Sequence, residues 1–225
     1  MRKLLFAAAL LMGAAPAYAD VIITYGQSGG TNTITGTASA TGTAWSGTDI
    51  PVTVTQIAPN GPATPFNAFL DVSANSIGGA SVTGPFITQE FAGTFSICST
   101  AAGCVVNYLS GSFSDGALTA NGAVQIVVAA PNVVFTSDVI LALGPPDALG
   151  FSFTNVAPPV SLAACTNTNP GCDTGQTIAS FTASVSGNAS ATEVPEPATI
   201  ALFGASLLGF GLLRRRRNGT EPVAA

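Results

Sequence analysis

Apolar and polar positions alternate over most of residues 20–190, in runs rich in Val, Ile, Phe and Thr that Gly, Pro and Asn interrupt. A period of two is typical of strands with one buried face, because successive side chains point to opposite sides of a sheet. A convincing helical period is missing from this region. The alternation predicts strands at 21–25, 33–39, 52–57, 68–72, 91–97, 105–113, 117–120, 123–129, 133–143, 151–156 and 177–186.

Many short strands at this spacing indicate an all-β fold. We predict a single antiparallel β-sandwich or jelly-roll-like domain over residues 20–186, flanked by a signal peptide and a C-terminal transmembrane helix. Paired prolines at 145–146 and 158–159 mark loops. Residues 187–193 are small and polar, which predicts a linker.

The first 19 residues have a different character from the body. Arg2 and Lys3 precede an apolar run over residues 4–15, and Ala17 and Ala19 place small side chains just before Asp20. This arrangement predicts a secretory signal peptide over 1–19 that is cleaved before Asp20. A retained membrane helix is the alternative, but the apolar run is short for a span.

The C-terminal region has three parts in a fixed order. The first is a proline-stiffened, extended element that consists of Val194, Pro195, Glu196 and Pro197. An uncharged apolar run over 198–213 follows, and we predict that it forms a transmembrane helix. The third part is a stop-transfer cluster that consists of Arg214, Arg215, Arg216 and Arg217. By the positive-inside rule this cluster and a tail over 218–225 stay in the cytoplasm, which places the body outside.

These three parts together resemble the PEP-CTERM sorting domain of Gram-negative bacteria, over residues 194–217. The resemblance implies that exosortase, a membrane peptidase, recognises the motif. It implies that the inner membrane holds the precursor only transiently before the protein reaches the cell surface or the extracellular matrix. Association with exopolysaccharide is a further implication of the resemblance. Residues 218–225 extend beyond the family's pattern.

Charge separates the two ends from the body. The six basic residues are Arg2, Lys3, Arg214, Arg215, Arg216 and Arg217. Of the 11 acidic residues, only Glu196 and Glu221 lie beyond Pro195, so the body carries nine acids and no base. A body of this charge cannot neutralise phosphates, which excludes nucleic acid as its partner.

The four cysteines lie in two close pairs, Cys98 with Cys104 and Cys165 with Cys172. In an exported chain this predicts two local disulfides, although four cysteines allow three pairings. Four free thiols are the alternative. Zinc is disfavoured, because the spacings differ from those of zinc sites and the chain has no His. We predict neither a metal site nor a cofactor.

The body without its targeting segments lacks His, Lys and Arg, so it cannot build a Ser-His-Asp triad, a Cys-His dyad or a Ser-Lys pair. Carboxylate pairs could still cleave glycosides, but sugar clefts favour aromatic platforms and Trp45 is the one Trp. The candidate carboxylates are Asp49, Asp71, Glu90, Asp115, Asp138, Asp147 and Asp173. Asp173, Thr174 and Gly175 spell the aspartic protease triplet, but the sequence holds no second copy of it.

Two further patterns concern binding. Calcium is the one metal that scattered carboxylates outside a cell could hold, but the sequence has no D-x-D-x-D-G loop. Four threonines alternate and would share one face of a strand, either as an ordered water-binding rank or as a solvated face. They are Thr31, Thr33, Thr35 and Thr37.

These features together predict an exported, acidic, non-enzymatic protein of the cell surface or extracellular matrix that is associated with exopolysaccharide. A carbohydrate- or calcium-binding adhesin module is the alternative. A carboxylate-based glycoside hydrolase ranks below both.

Overall fold

The computed structural model describes residues 20–31, 33–58, 61–121, 125–131, 133–140, 143–166 and 168–193. Almost all of the regular structure in these ranges is strand. In chain order the strands are β1 (Asp20–Gln27), β2 (Ile34–Ser39), β3 (Gly42–Ile57), β4 (Phe66–Ser76), β5 (Ser81–Thr83), β6 (Phe86–Cys98), β7 (Asn107–Asn121), β8 (Gln125–Ala130), β9 (Val133–Thr136), β10 (Leu143–Ala157), β11 (Leu162–Ala164), β12 (Gln176–Ile178) and β13 (Phe181–Glu193). One turn of 3₁₀ helix spans Pro170–Cys172.

The main sheet of the described chain closes on itself. Its hydrogen-bonded neighbours follow the order β6, β4, β3, β1, β13, β10, β8 and β7, and β7 then pairs with β6. The neighbours are antiparallel throughout. β2 occupies the same place between β3 and β13 as β1, because it pairs with both of them. β9 pairs with a different part of β7 from the part that β8 pairs with. The result is a closed antiparallel sheet with eight strand positions around one interior.

The all-β prediction is confirmed, but the β-sandwich or jelly roll is wrong. A sandwich consists of two separate sheets, each with two unpaired edge strands. Here the strands that would form those edges are hydrogen bonded to each other. β6 and β7 pair from Phe86 opposite Asn121 to Cys98 opposite Asn107. On the other side β1 and β2 join β3 to β13. Alternation reveals which face of a strand is buried, but it does not reveal the neighbour with which the strand pairs.

Several predicted element boundaries also need correction. The runs at 105–113 and 117–120 belong to one continuous strand, β7, and the run at 133–143 ends as strand β9 at Thr136. The first half of β3 went unpredicted because Gly, Thr, Ala and Ser dominate it. Residues 187–193 are not a linker, since β13 continues to Glu193, which pairs with Leu143 of β10.

The interior of the closed sheet is filled by aromatic rings around Trp45, which is 1% exposed. Its ring centroid lies 5.2 Å from that of Phe153, 5.8 Å from Phe151, 6.1 Å from Phe91 and 6.4 Å from Phe113. Three of these contacts are edge-on, which is a favourable geometry for aromatic pairs. These side chains come from β3, β6, β7 and β10, so one cluster ties opposite walls together. Around Trp45, the interior of the closed sheet is therefore filled by a packed hydrophobic core.

A small two-stranded unit covers one end of the closed sheet. β11 and β12 pair, and with the 3₁₀ turn they make up the disulfide flap, residues 161–178. The Thr166 N–H donates to the Ala40 carbonyl at 2.8 Å, and the Ser76 hydroxyl donates to the Gly171 carbonyl at 2.9 Å. We call this the flap end of the molecule.

Within the described residues, no helix is both long and apolar enough to cross a membrane. The predicted helix at 198–213 lies outside these residues, as do the signal peptide at 1–19 and the tail at 218–225.

Replacement of Trp45 by Ala is expected to lower the free energy of unfolding by about 3–5 kcal/mol, because it empties the centre of the aromatic core. Urea denaturation followed by circular dichroism measures this loss. Ser46→Ala is the matched control, since Ser46 is the next residue of β3 and is exposed; a change below about 0.5 kcal/mol is expected. Similar losses in both variants would contradict the central role of Trp45.

Candidate functional site

The first and last described strands lie side by side. β1 pairs with β13 from Asp20 opposite Ala191 to Gly26 opposite Ser186. Ile22 and Ile23 of β1 and Ala189 and Ala191 of β13 are buried, so apolar packing fixes the pair. Asp20, the residue after the predicted cleavage site, is the exposed first residue of β1. Ala17 and Ala19 lie outside the described residues.

The first and last described residues therefore lie at one end of the folded body, opposite the flap. We call it the terminal end, and it comprises Asp20, Glu193 and the β6–β7 loop 99–106. Asp138 joins it, because the Asn107 N–H donates to Asp138 Oδ2 at 2.8 Å. The sorting residues and the stop-transfer cluster lie outside the described part: Val194, Pro195, Glu196, Pro197, Arg214, Arg215, Arg216 and Arg217.

A folded acidic body whose last strand leads directly into a proline-rich element, an apolar run and an arginine cluster defines an exported protein with a C-terminal sorting signal. The signal is a PEP-CTERM protein-sorting motif, whose family model matches residues 193–217. The resemblance stated from the sequence is thereby confirmed for this C-terminal region. The motif implies that the protein is exported, that its sorting signal is anchored in a membrane, and that exosortase, a membrane protein, processes it. Neither the curated proteins nor the solved structures contain a match to the chain.

Both predicted disulfides are confirmed. Cys98 is bonded to Cys104 with Cα atoms 5.1 Å apart, and Cys165 to Cys172 with Cα atoms 6.0 Å apart. The first bridge closes the β6–β7 loop at the terminal end, and the second closes the loop of the flap. Each bridge thus constrains one end of the closed sheet.

The structure brings Asp49 and Asp71 together in a structural role. Asp49 lies where the pairing of β3 with β4 shifts register, and its φ of 51° is in the left-handed region. Its N–H donates to Asp71 Oδ1 at 2.6 Å. The Asp71 carboxylate therefore holds the irregular backbone of β3 in place. Asp71 also lines an outer groove of about 370 Å³ with Ser73, Thr94 and Ser96.

Asp173 and Glu90 line a second outer groove of about 310 Å³, beside the flap. Asp173 Oδ1 accepts the Gly79 N–H at 2.6 Å, so the Asp of the protease-like triplet ties the flap to the β4–β5 turn. Of the remaining candidates, Asp115 lies on β7, Asp147 lies on β10 and Asp138 lies at the terminal end. Among the described residues, no three His, Cys, Asp or Glu side chains come together as a metal site.

The structure gives different roles to the remaining aromatic and threonine residues. Trp45 is buried, so it cannot serve as a platform for a sugar ring. Of the four threonines, only Thr35 and Thr37 belong to β2, and both are exposed.

One buried polar cluster went unnoticed in the sequence. Gln89, 2% exposed, donates through Nε2 to the Thr177 hydroxyl at 2.9 Å, and its Oε1 accepts the Ile178 N–H at 2.9 Å. Thr177 also bonds Thr43 of β3 at 2.6 Å. The cluster fastens the flap to the inside of the main sheet. A Gln in an alternating strand carries no sign that distinguishes it from an exposed Gln, so periodicity could not have found it.

Burial shifts the pKa of two groups. Desolvation raises the pKa of Tyr25 far above its ordinary value, and its buried hydroxyl has no hydrogen-bond partner among the described residues. Gly187 opposite makes room for this hydroxyl, since a Cβ there would lie 2.5 Å from it. Desolvation also raises the pKa of Asp147 on β10.

Gln89→Leu should lower the free energy of unfolding by about 1–3 kcal/mol, because it leaves the Ile178 N–H and the Thr177 hydroxyl without their buried partner. Gln56→Leu is the control, since the Gln56 side chain makes one exposed bond, to the Val21 carbonyl; its loss should stay under about 1 kcal/mol. Urea denaturation compares the two. A Gln89 variant no weaker than the Gln56 variant would show that the flap is not held by this cluster.

Asp147→Asn should stabilise the protein at neutral pH. A carboxyl with a raised pKa favours folding below its ordinary value of about 3.8, and that contribution is lost as pH rises through the raised value. The stability gain of the Asn variant should therefore appear as pH rises from about 3.8 through the raised pKa of Asp147. Thermal melts across pH, with Asp20→Asn as the control for net charge, measure the difference. A gain that is equal in both variants would assign the effect to overall charge instead of to burial of Asp147.

Proposed function

We propose that the mature protein is a non-enzymatic component of the cell surface or extracellular matrix of a Gram-negative bacterium, associated with exopolysaccharide. The sorting motif at 193–217 supports the route to the exterior. The observation that carries the non-enzymatic part is the use of the body's acids. The Asp71 carboxylate accepts the Asp49 N–H at a register shift of β3, and the Asp173 carboxylate anchors the flap.

The chemistry of the body supports the same proposal. Residues 20–193 contain no His, Lys or Arg, so no side chain there can activate a Ser, Thr or Tyr hydroxyl as those residues do in hydrolases. The interior that could have held a substrate is filled by the rings around Trp45. A stable, disulfide-bonded, acidic scaffold is what these properties favour.

A carbohydrate- or calcium-binding module is the second candidate function. It is favoured by the outer groove in which the Asp71 carboxylate lies beside the hydroxyls of Ser73, Thr94 and Ser96. Carboxylates and hydroxyls can bond sugar hydroxyls, and carboxylates can ligate calcium. Asp71→Asn would weaken such binding, whereas Glu90→Gln in the other groove would not.

Mass spectrometry of the protein recovered from its host tests the lead proposal. We expect a chain that begins at Asp20, has lost its C-terminal tail and is found in the exopolysaccharide-containing surface material. In a host that makes no exopolysaccharide, we expect the same processed chain to appear in the medium. An intact chain ending at Ala225 in surface material would contradict the sorting step, and a processed chain with unchanged location would contradict the association with exopolysaccharide. Glycan arrays with and without calcium separate the second candidate, for which the lead proposal expects no binding.

A further inference from the structure

Both targeting segments leave the body at the same end. Asp20, which follows the signal peptide, pairs with Ala191, and Glu193, where the sorting motif begins, pairs with Leu143. Because β13 remains in the sheet through Glu193, no free spacer separates the folded body from the sorting signal. The terminal end is thus the part of the body nearest to the membrane-anchored signal.

The length of the connection limits how the body can sit. Between Glu193 and the apolar run lie the four residues 194–197, which can span at most about 14 Å. β6, which runs between the two ends, has 13 residues and extends about 40 Å. The tether is therefore much shorter than the body. An upright body places the terminal end at the membrane surface and the flap end far from it.

The side chains of the terminal end suit the boundary between water and lipid headgroups. Val105, which follows Cys104 in the loop 99–106, is 74% exposed. The partly exposed rings of Phe66 and Tyr108 pack against each other beside this loop, with centroids 4.7 Å apart. Tyr is favoured at this boundary because it combines an apolar ring with a polar group.

Charge does not attract this end to the membrane. Asp20, Asp138 and Glu193 lie here, and residues 20–193 contain no base that could bind anionic headgroups. Contact with the membrane must therefore depend on the covalent tether, and nothing in the body's charge would maintain it once the tail is removed.

We propose that the terminal end of the precursor, which includes the loop 99–106, rests against the outer surface of the membrane for as long as the sorting signal is attached. The flap end faces away from the lipid. The partner of this surface is the lipid headgroup layer. The inference depends on the membrane-anchored signal and is independent of whether the mature body is a matrix protein.

Two exposed valines at opposite ends provide a matched test. Val105 marks the terminal end, and Val82 of β5, 55% exposed, marks the flap end. All four native cysteines are in disulfides, so Val105→Cys and Val82→Cys each add a single free thiol to the full-length precursor. The precursor is made in a host without exosortase, and spheroplasts are treated with a bulky maleimide polymer. Each rate is divided by the rate for the same variant after detergent extraction, and Trp45 emission confirms that both variants fold.

We expect the thiol at 105 to react several-fold more slowly in the membrane than in detergent, and the thiol at 82 to react equally in both. A second precursor carries a linker of about 20 Gly and Ser residues after Glu193, which adds a mean separation of roughly 25 Å. In it, the protection at 105 should disappear. Equal normalised rates at the two positions without the linker would overturn the proposal. Protection at 105 that survives the linker would also overturn it, because the contact would then not depend on the tether.

Discussion

The pairing of β1 with β13 is the interaction on which the rest of the structure depends. These strands are the first and last of the folded body, and together they join β3 to β10. Without the pairing of β1, and of β2 beside it, with β13, the sheet would be an open strip with two long edges, and the rings around Trp45 would lose the wall that encloses them. The same pairing brings Asp20 and the end of β13, where the match to the sorting motif begins, to one end of the molecule.

Closure also reduces the exposed strand edges of a sheet that has no lysine. Sheets usually protect exposed edges with charged side chains, above all with Lys. Residues 20–193 contain no Lys. In the described structure the long strands β6 and β7 pair with each other along their length, which removes the edges that a sandwich would expose. The nine acids of the body add repulsion between molecules, which favours solubility of a surface that is otherwise uncharged and rich in Ser and Thr.

The sequence was sufficient for what local chemistry encodes. Alternation located most strands, because every second residue of a strand faces the core. Val52 and Val54 of β3 are an example, as are Leu70 and Val72 of β4. Close spacing predicted the disulfides, and the order of three segments identified the sorting motif. Pairing partners are a property of distant segments, so closure could not be deduced. The structural roles of Asp71 and Gln89 depend on neighbours far along the chain, and the same letters occur elsewhere as exposed side chains. The beginning of β3 was missed because its small residues lack a strong alternation, although Trp45 at its centre organises the core.

A sheet that needs its last strand to close has a consequence for the timing of biogenesis. β13 is made only after almost the whole body, and the contacts it forms with β1 span nearly the full length of the domain. Contacts between such distant segments form slowly, because a long loop must be ordered before they are made. A chain threaded through the export machinery would therefore remain incomplete until Glu193 has emerged. Because β13 completes the closed sheet, the body can finish folding only once the chain up to Glu193 is available to pair.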